Sequence, residues 1–342
     1  MRILHVVHSA AFYGVERYVS TLARAQAAMG DLVTVVGGEP ASMRKALGGV
    51  AHWDQGGSFA RMCESVMRWR GADVIHAHMT DAESASVALR ALIDRRACVV
   101  ATRHFAKRRG ASRAGSLIAP FIGRELDGQI AISRYVADRI EGESTVIYPG
   151  VPGPTADQVE RQPVVLVAQR LEAEKATDVA LAGFVASGLV ARGWRLRIAG
   201  DGALRTELQR QAEHFRVSDS VDFLGRRDDI PQLMASSSLL LASTPIEAFG
   251  LAVAEAMAAG LPVVATLAGG HLESLPAAEL DHGFEPGDAR AAGTALRTVA
   301  LDPDLWSRLA MLGKERHRSA LTPQIQAERT RTFYTEVMEA RQ

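Results

Sequence analysis

Short apolar runs alternate with longer segments of helical periodicity along most of the chain. The runs have the length of buried strands, and the segments between them repeat apolar residues at the spacing of a helix face. The predicted strands are 3–7, 32–36, 74–76, 98–101, 129–132, 145–147, 164–168, 196–199, 221–224, 238–242 and 262–265. Strands that alternate with helices predict an α/β fold built on doubly wound parallel sheets.

One stretch interrupts this alternation near the middle of the chain. Residues 150–163 lack periodicity and are rich in proline and glycine, which is typical of an inter-domain linker. The chain has 342 residues, more than one hydrophobic core usually holds. We therefore predict an N-terminal domain over 1–152, a C-terminal domain over 163–322, and a terminal helix over 323–342 that is long enough to pack back on the first domain.

Composition excludes several classes of protein. Lys plus Arg and Asp plus Glu both number 39, which argues against a basic nucleic-acid binder and against a disordered acidic chain. The two cysteines, Cys63 and Cys98, have no metal-ligand spacing, so we expect a reduced cytoplasmic setting without structural zinc. No apolar run is long enough to span a membrane, and contact at the inner membrane face would be peripheral.

Two carboxylates flank a glycine directly after the predicted strand 238–242. Glu247 lies at the carboxyl end of that strand, where ligands of open α/β sheets collect. Gly250 lets a ligand approach the backbone, and the first amides of the next helix can hold phosphate. Glu255 lies about 7.5 Å further along the helix axis. The stretch is either a nucleotide-sugar grip or a capped core helix with one solvated acid.

Two cations follow the first predicted strand of the second half. Arg170 and Lys175 would lie at the carboxyl end of strand 164–168, where a guanidinium and an ammonium can neutralise a departing diphosphate. Turns at 200–202 and at Gly225 end the next two strands at the same edge of the sheet. The alternative is a solvated loop.

The turn after the first strand lacks the glycine pattern of a dinucleotide-binding site. Gly14 can present amides to an anion, or it can serve only the turn. Neither Gly-x-Gly-x-x-Gly nor a phosphate-binding P-loop is present there, which weakens both of those interpretations.

Three histidines follow or end predicted strands of the first half. The spacing of His76, His78 and His104 matches no standard metal site, so we predict no metal. His104 is the better functional candidate, because at a strand end it could donate a hydrogen bond to a sugar hydroxyl. A buried structural histidine is the alternative.

A basic segment without any acidic residue spans 95–124. Its cluster of Lys107, Arg108, Arg109 and Arg113 precedes the apolar stretch 117–122. A basic and then apolar profile suits contact with anionic lipid head groups or a phosphorylated acceptor. The alternative is a solvated loop beside an ordinary helix.

Taken together, these motifs resemble the retaining glycosyltransferases of GT-B fold, the group 1 family of sucrose and glycogen synthases and phosphatidylinositol mannosyltransferase. The motifs occur in family order over essentially the whole chain: 14–17, 73–78, 102–104, 132–133, 146–151, 170–175, 198–202, 223–225, 247–255 and 260–264. The resemblance implies two Rossmann-like domains that face each other across a cleft, with the acceptor in the first and the sugar nucleotide mainly in the second.

The resemblance also implies roles for individual residues. Arg170 and Lys175 would hold the diphosphate, Glu255 the ribose and Glu247 the donor sugar. Backbone groups would supply the remaining contacts: Phe249, Gly250 and Leu251 to sugar and phosphate, Gly14 from the first domain, and Gly225 and Arg226 to the base. Transfer in this family retains the anomeric configuration without a metal or other cofactor, and the leaving diphosphate takes the acceptor proton.

Two positions depart from the family pattern. Tyr13 stands where the family often has glycine before Gly-x-Glu, which would narrow the acceptor or phosphate side. Pro149 stands where the family often has asparagine before Gly-Val, which would stiffen the hinge. Both changes fall in the first half, so that half does not identify the acceptor.

We therefore predict a transferase that moves a hexose from a UDP- or GDP-sugar to a glycan, lipid-linked, phosphorylated or small-molecule acceptor. A sugar-nucleotide epimerase or hydrolase of the same architecture is one alternative. A non-catalytic nucleotide-binding partner subunit is another.

Overall fold

A computed structural model describes residues 1–93, 96–110, 113–154 and 159–341, without the side chains at 91–93 and 113–118. The chain divides into two compact units. Unit 1 comprises Met1–Val151 and Ala320–Gln342, and unit 2 comprises Pro152–Ser319. Linker residues 155–158 and the predicted basic side chain of Arg113 lie outside the described part.

Unit 1 contains a parallel sheet of seven strands in the order β3-β2-β1-β4-β5-β6-β7. The strands are β1 (Arg2–Val7), β2 (Leu32–Gly37), β3 (His52–Asp54), β4 (Val74–His78), β5 (Cys98–Arg103), β6 (Gly128–Ala131) and β7 (Thr145–Val146). Their helices are α1 (Gly14–Ala28), α2 (Pro40–Leu47), α3 (Phe59–Arg68), α4 (Thr80–Ile93), α5 (Arg113–Glu125) and α6 (Arg134–Ala137). The central strands are buried along their length because helices cover both faces of such a sheet.

Unit 2 contains a parallel sheet of five strands in the order β10-β9-β8-β11-β12. The strands are β8 (Val164–Ala168), β9 (Arg195–Ala199), β10 (Val221–Gly225), β11 (Leu239–Ala242) and β12 (Val263–Ala265). The helices are α7 (Thr177–Ser187), α8 (Arg205–His214), α9 (Ile230–Ser236), α10 (Leu251–Ala258), α11 (His271–Ser274), α12 (Ala277–Leu280), α13 (Ala289–Leu301) and α14 (Pro303–Ala320). Both sheets confirm the predicted α/β class.

The last helix, α15 (Pro323–Ala340), belongs to unit 1. Its Phe333 and Val337 pack so closely on β6 that a Cβ added at Gly128 would lie 2.8 Å from Phe333 and 2.9 Å from Val337. Where the chain leaves unit 1, the Gly150 N–H donates to Gln326 Oε1 at 2.9 Å. The first half of the chain is therefore fastened to its last helix.

Strand β3 has no counterpart among the predicted strands. Its three residues, His-Trp-Asp, form no apolar run, so periodicity gave no signal. The strand pairs with the edge of the sheet at β2, and the Trp53 indole N–H donates to the Gly37 carbonyl at 2.9 Å. Tertiary contacts, not local propensity, hold it in place.

A buried carboxyl group on α12 makes the stability of unit 2 depend on pH. Burial raises the pKa of Glu279 from its ordinary 4.5 to about 8, although the Val263 N–H that donates to it acts in the opposite direction. Between these two values the folded chain holds a proton that the unfolded chain releases. The free energy of unfolding is therefore expected to fall as pH rises through this window, by up to about 1.4 kcal/mol per pH unit.

The substitution Glu279→Gln is expected to flatten that pH dependence, because an amide keeps the acceptor for Val263 and does not ionise. Urea unfolding is monitored by hydrogen exchange in unit 2 at several pH values between 5 and 9. The free energy of unfolding of the variant is then compared with that of the native protein at each pH. Parallel pH profiles for the two proteins would contradict the assignment.

None of the helices in the described part of the chain has the length and apolar character needed to cross a membrane.

Candidate active site

The loop after β8 is anchored to the end of β11 through Gln169. Its amide Nε2 donates to the Lys175 carbonyl at 2.9 Å and to Thr177 Oγ1 at 2.9 Å, and Thr244 Oγ1 donates to its Oε1 at 3.2 Å. Residue Ala176 adopts a left-handed conformation, φ 47°, between this loop and α7. The result is a folded-back loop that places Lys175 beside the carboxyl end of the sheet.

Lys175 and Glu247, which are 72 residues apart, form an ion pair there. The Lys175 Nζ donates to Glu247 Oε2 at 2.8 Å, and the two side chains are 19% and 23% exposed. Arg170 lies outside this pair and bonds Glu174 at 2.8 Å on the exposed surface. The structure therefore brings together the predicted sugar-binding acid and one of the two predicted phosphate-binding cations.

The Glu247 loop leads directly into α10. Gly250 precedes the first residue of the helix, Leu251, with φ 95°, a left-handed value that favours glycine. The Phe249 side chain is buried in the core beneath this turn, and Glu255 is half-buried on the helix itself. The first amides of α10 have no acceptor within the helix, so they can face an anion beside Lys175.

A glycine pair after β12, which sequence reasoning missed, supports this loop. A Cβ added at Gly269 would lie 2.4 Å from the Glu247 carbonyl oxygen, and one at Gly270 would lie 2.5 Å from the Ala248 carbonyl oxygen. The Gly270 N–H donates to the Glu247 carbonyl at 2.8 Å. Only glycine fits at either place, and a Gly-Gly pair just past a predicted strand was the available signal.

His271, the next residue, lies buried beneath Gly250. Its Nδ1 lies 3.2 Å from the Thr266 carbonyl oxygen, which can only accept, so this nitrogen carries the proton. Burial lowers the pKa of His271, and the nearby Glu247 carboxylate acts in the opposite direction. A Cβ at Gly250 would lie 2.9 Å from the ring, so the ring leaves room only for glycine at this position.

Glycine turns at the ends of β9 and β10 complete this edge of unit 2. A Cβ added at Gly200 would lie 1.8 Å from the Gln169 carbonyl oxygen, so the turn passes directly against the β8 loop. The Gly200 N–H donates to the carbonyl of Gly225, which has φ 69°. Arg226 follows on the exposed surface. The predicted base-binding residues therefore belong to the same edge as Lys175.

In unit 1, Gly14 begins α1 at the exposed end of the first turn, where the Tyr13 N–H donates to Glu16 Oε2 at 2.7 Å. His104 follows β5 and is 7% exposed. Burial lowers the pKa of His104 to about 3, so the ring is neutral at pH 7.

Three other histidines, His5, His76 and His78, lie fully buried on the same sheet, with nitrogen atoms within 4.8 Å of one another. Both nitrogens of each ring already lie within hydrogen-bond distance of a neighbouring side chain. Neighbouring rings are stacked or tilted, with angles of 26° to 38° between their planes. The geometry suits a hydrogen-bonded cluster, to which the sequence analysis had not assigned His5.

Two family models match this chain. The model for glycosyl transferases group 1 matches residues 156–316, and the model for glycosyltransferase family 4 matches residues 12–152. Glycogen synthase of Mycobacterium tuberculosis is 29% identical over 288 residues, which cover 78% of this chain and 69% of that protein. The chain is a glycosyltransferase, whose second half matches group 1 and whose first half matches family 4.

Other relatives of this glycosyltransferase match it over different lengths. An N-acetyl-alpha-D-glucosaminyl L-malate synthase of Bacillus anthracis is 29% identical over 140 residues, which are 41% of this chain and 36% of that protein. The Anabaena protein Alr3699/HepE, solved in complex with UDP and glucose, superposes with a TM-score of 0.78 at 20% identity and covers 98% of this chain and 100% of that one. At that identity the likeness shows the GT-B fold alone.

In the described part of the basic segment of the glycosyltransferase, Arg109 does not lie on the surface as predicted. Arg109 is buried, with its guanidinium bonded to Glu83, to Glu141 Oε1 at 2.7 Å and to Gln129 Oε1 at 2.9 Å. Arg103 donates to the same Glu141 at 2.9 Å. The prediction that Arg109 reaches a membrane or a phosphorylated acceptor was therefore wrong, because internal carboxylates neutralise it.

Proposed function

We propose that this glycosyltransferase is a retaining, metal-independent enzyme that moves a hexose from a UDP- or GDP-sugar to an acceptor. The observation that carries the proposal is the Lys175–Glu247 ion pair, with 2.8 Å between Nζ and Oε2, beside the left-handed Gly250 turn. A phosphate-binding cation and a sugar-binding carboxylate are the two groups that a sugar diphosphate needs at adjacent points.

Each group has a distinct task in this proposal. Lys175 turns from Glu247 toward the diphosphate and stabilises the charge that develops as the glycosidic bond breaks. The amides at the start of α10 hold the same phosphates, Glu255 binds the ribose, and Glu247 binds hydroxyls of the sugar. The departing phosphate oxygen takes the acceptor proton on the same face, so the anomeric configuration is retained without a protein nucleophile.

A donor screen tests the proposal. Thermal unfolding is measured with UDP, GDP, ADP and their hexose conjugates, because a ligand at 100 times its Kd adds about 2.7 kcal/mol of stability. Sugar transfer is then assayed with the stabilising donor. Release of free sugar or of an epimerised donor would favour the hydrolase or epimerase instead, and stabilisation without turnover would favour the partner subunit.

The cation variants Lys175→Ala and Arg170→Ala are each expected to weaken nucleoside-diphosphate binding by roughly ten to over a hundredfold, since a hydrogen bond to a charged group contributes about 1.5 to 3 kcal/mol. Isothermal titration with UDP and GDP measures this. Arg210→Ala removes an exposed arginine paired with Glu207 and is the matched control. Wild-type affinity in both cation variants would place the diphosphate elsewhere.

Activity is expected to survive EDTA, because Lys175 and Arg170 offset the diphosphate charge that a divalent ion would otherwise neutralise. Initial rates are compared before and after chelation. Complete loss that manganese or magnesium restores would rule out the metal-independent mechanism.

Peripheral membrane contact stays a prediction and now rests on the exposed Lys107 and Arg108, together with the exposed ring of Phe105. The acceptor stays open among the classes named from the sequence.

A further inference from the structure

A chain of hydrogen-bonded side chains runs beneath α1 and ends at His104. Gln26 Oε1 lies 2.7 Å from His5 Nε2, His5 Nδ1 lies 3.0 Å from His78 Nε2, and His78 Nδ1 lies 3.1 Å from His104 Nε2. Gln26, His5 and His78 are fully buried, whereas His104 is 7% exposed. Of the three hydrogen-bonded rings His5, His78 and His104, only His104 therefore reaches the surface of unit 1.

The N–H groups of the three rings must all point in the same direction along this series of hydrogen bonds. Burial lowers the pKa of His5 to about 4, that of His104 to about 3, and that of His78 well below its ordinary value. Each ring is therefore neutral at pH 7, with one N–H and one lone pair. Because each link needs one donor and one acceptor, the N–H groups all point toward Gln26 or all point away from it.

The amide of Gln26 selects between these polarities. Its Nε2 lies 3.3 Å from the Tyr334 hydroxyl, and that hydroxyl lies 2.6 Å from His76 Nδ1. A separation of 3.3 Å is just beyond the usual range of about 2.7–3.2 Å for an N–H donor but far beyond the usual distance of about 2.7–2.8 Å for a hydroxyl donor, so the amide is the better donor. The short bond then belongs to the phenol, which donates to His76. Gln26 accordingly presents its carbonyl oxygen to His5, and a carbonyl oxygen can only accept.

We propose that the chain Gln26–His5–His78 fixes His104 as the Nε2–H tautomer and leaves its Nδ1 as an acceptor for a substrate hydroxyl. Among the described residues, Nδ1 has no hydrogen-bond partner. Gln26, His5 and His78 are positioning residues, since they act through His104. The role is the reverse of the donor role expected from sequence, and its substrate half rests on the proposed glycosyl transfer.

The acceptor nitrogen selects for a hydroxyl that can donate. A substrate in which that hydroxyl is replaced by hydrogen or by a methyl ether loses the bond, and a site built around a buried polar partner discriminates strongly against such analogues. The hydroxyl belongs either to the donor hexose or to the acceptor.

Ring-nitrogen NMR of ¹⁵N-histidine-labelled protein reads the tautomers directly and needs no substrate, so it is independent of the proposed function. We expect a protonated Nε2 and an unprotonated Nδ1 at His5, His78 and His104. Each resonance is assigned by its loss in a variant that lacks that histidine. An Nδ1–H at His104 would overturn the proposal.

A matched pair of variants separates positioning from structural support. Gln26→Met removes the terminal acceptor, and we expect a mixed or reversed His104 tautomer together with a fall of about tenfold in kcat/KM. Thr102→Val removes a buried hydrogen bond to His76, 2.6 Å long, but none of the hydrogen bonds that link Gln26 to His104. This variant should keep the native tautomer and rate. If both variants lose kcat/KM equally and keep the native tautomer, Gln26, His5 and His78 have only a structural role.

His104→Ala locates the hydroxyl. A change in KM for the donor that persists in donor hydrolysis without acceptor assigns it to the hexose, and a change confined to transfer assigns it to the acceptor. Unchanged kinetics in both assays would refute the substrate role.

Discussion

Glu247→Gln is expected to lower the turnover number by about a hundredfold or more while leaving nucleotide affinity close to native. The carboxylate lies beside the donor sugar in the proposed complex, where its charge favours an oxocarbenium-like transition state over the ground state. Glutamine keeps the size of the side chain and an oxygen that can accept the Ala248 N–H, which now donates to Glu247 at 3.1 Å. The loop is therefore expected to keep its form while the charge is lost.

Glu255→Gln is the matched comparison on the same stretch. A ribose contact changes little as the glycosidic bond breaks, so this variant should mainly weaken donor binding. Single-turnover rates and nucleotide titrations separate the two effects. Native kinetics in both variants would return the stretch to a structural role, and a turnover defect confined to Glu255→Gln would mean that the two roles are exchanged.

Glu83→Ala is expected to destabilise unit 1 by about 3 to 5 kcal/mol, because it leaves a buried arginine without its partner. The Glu83 and Arg109 side chains are each only 1% exposed and are bonded to one another, and Arg103 lies 3.8 Å from the same carboxylate. The remaining acid, Glu141, is 35% exposed and would have to neutralise both arginines.

Urea unfolding with hydrogen exchange read separately in each unit measures this loss, since a chain of two units need not unfold in one step. Glu64→Ala is the control, because Glu64 is exposed and pairs with Arg68 across a single helical turn. That change should cost well under about 1 kcal/mol. Equal effects of the two variants would mean that the buried pair adds no stability.

The alternation of apolar runs and helical segments was sufficient to predict the α/β class. Burial on both faces forces parallel strands to be apolar throughout, which a single sequence displays directly. The parallel direction of the strands also predicted that four residues share one edge of the sheet, because the carboxyl ends of parallel strands face the same way. These residues are Arg170, Lys175, Gly225 and Glu247. Strand β3 escaped prediction, since its pairing depends on Trp53 and the distant Gly37 carbonyl.

Only the tertiary structure decided the contacts between residues that lie far apart in the sequence. Sequence spacing could not join Lys175 to Glu247, bring Gly269 and Gly270 against the Glu247 loop, or link Gln26 to His104 through two other histidines. It also made Arg109 resemble its exposed neighbour Arg108, although Glu83 neutralises only the former. The local pattern determines which face of a strand or helix is buried, whereas hydrogen-bond partners, tautomers and ion pairs depend on which surfaces the folded sheet brings together.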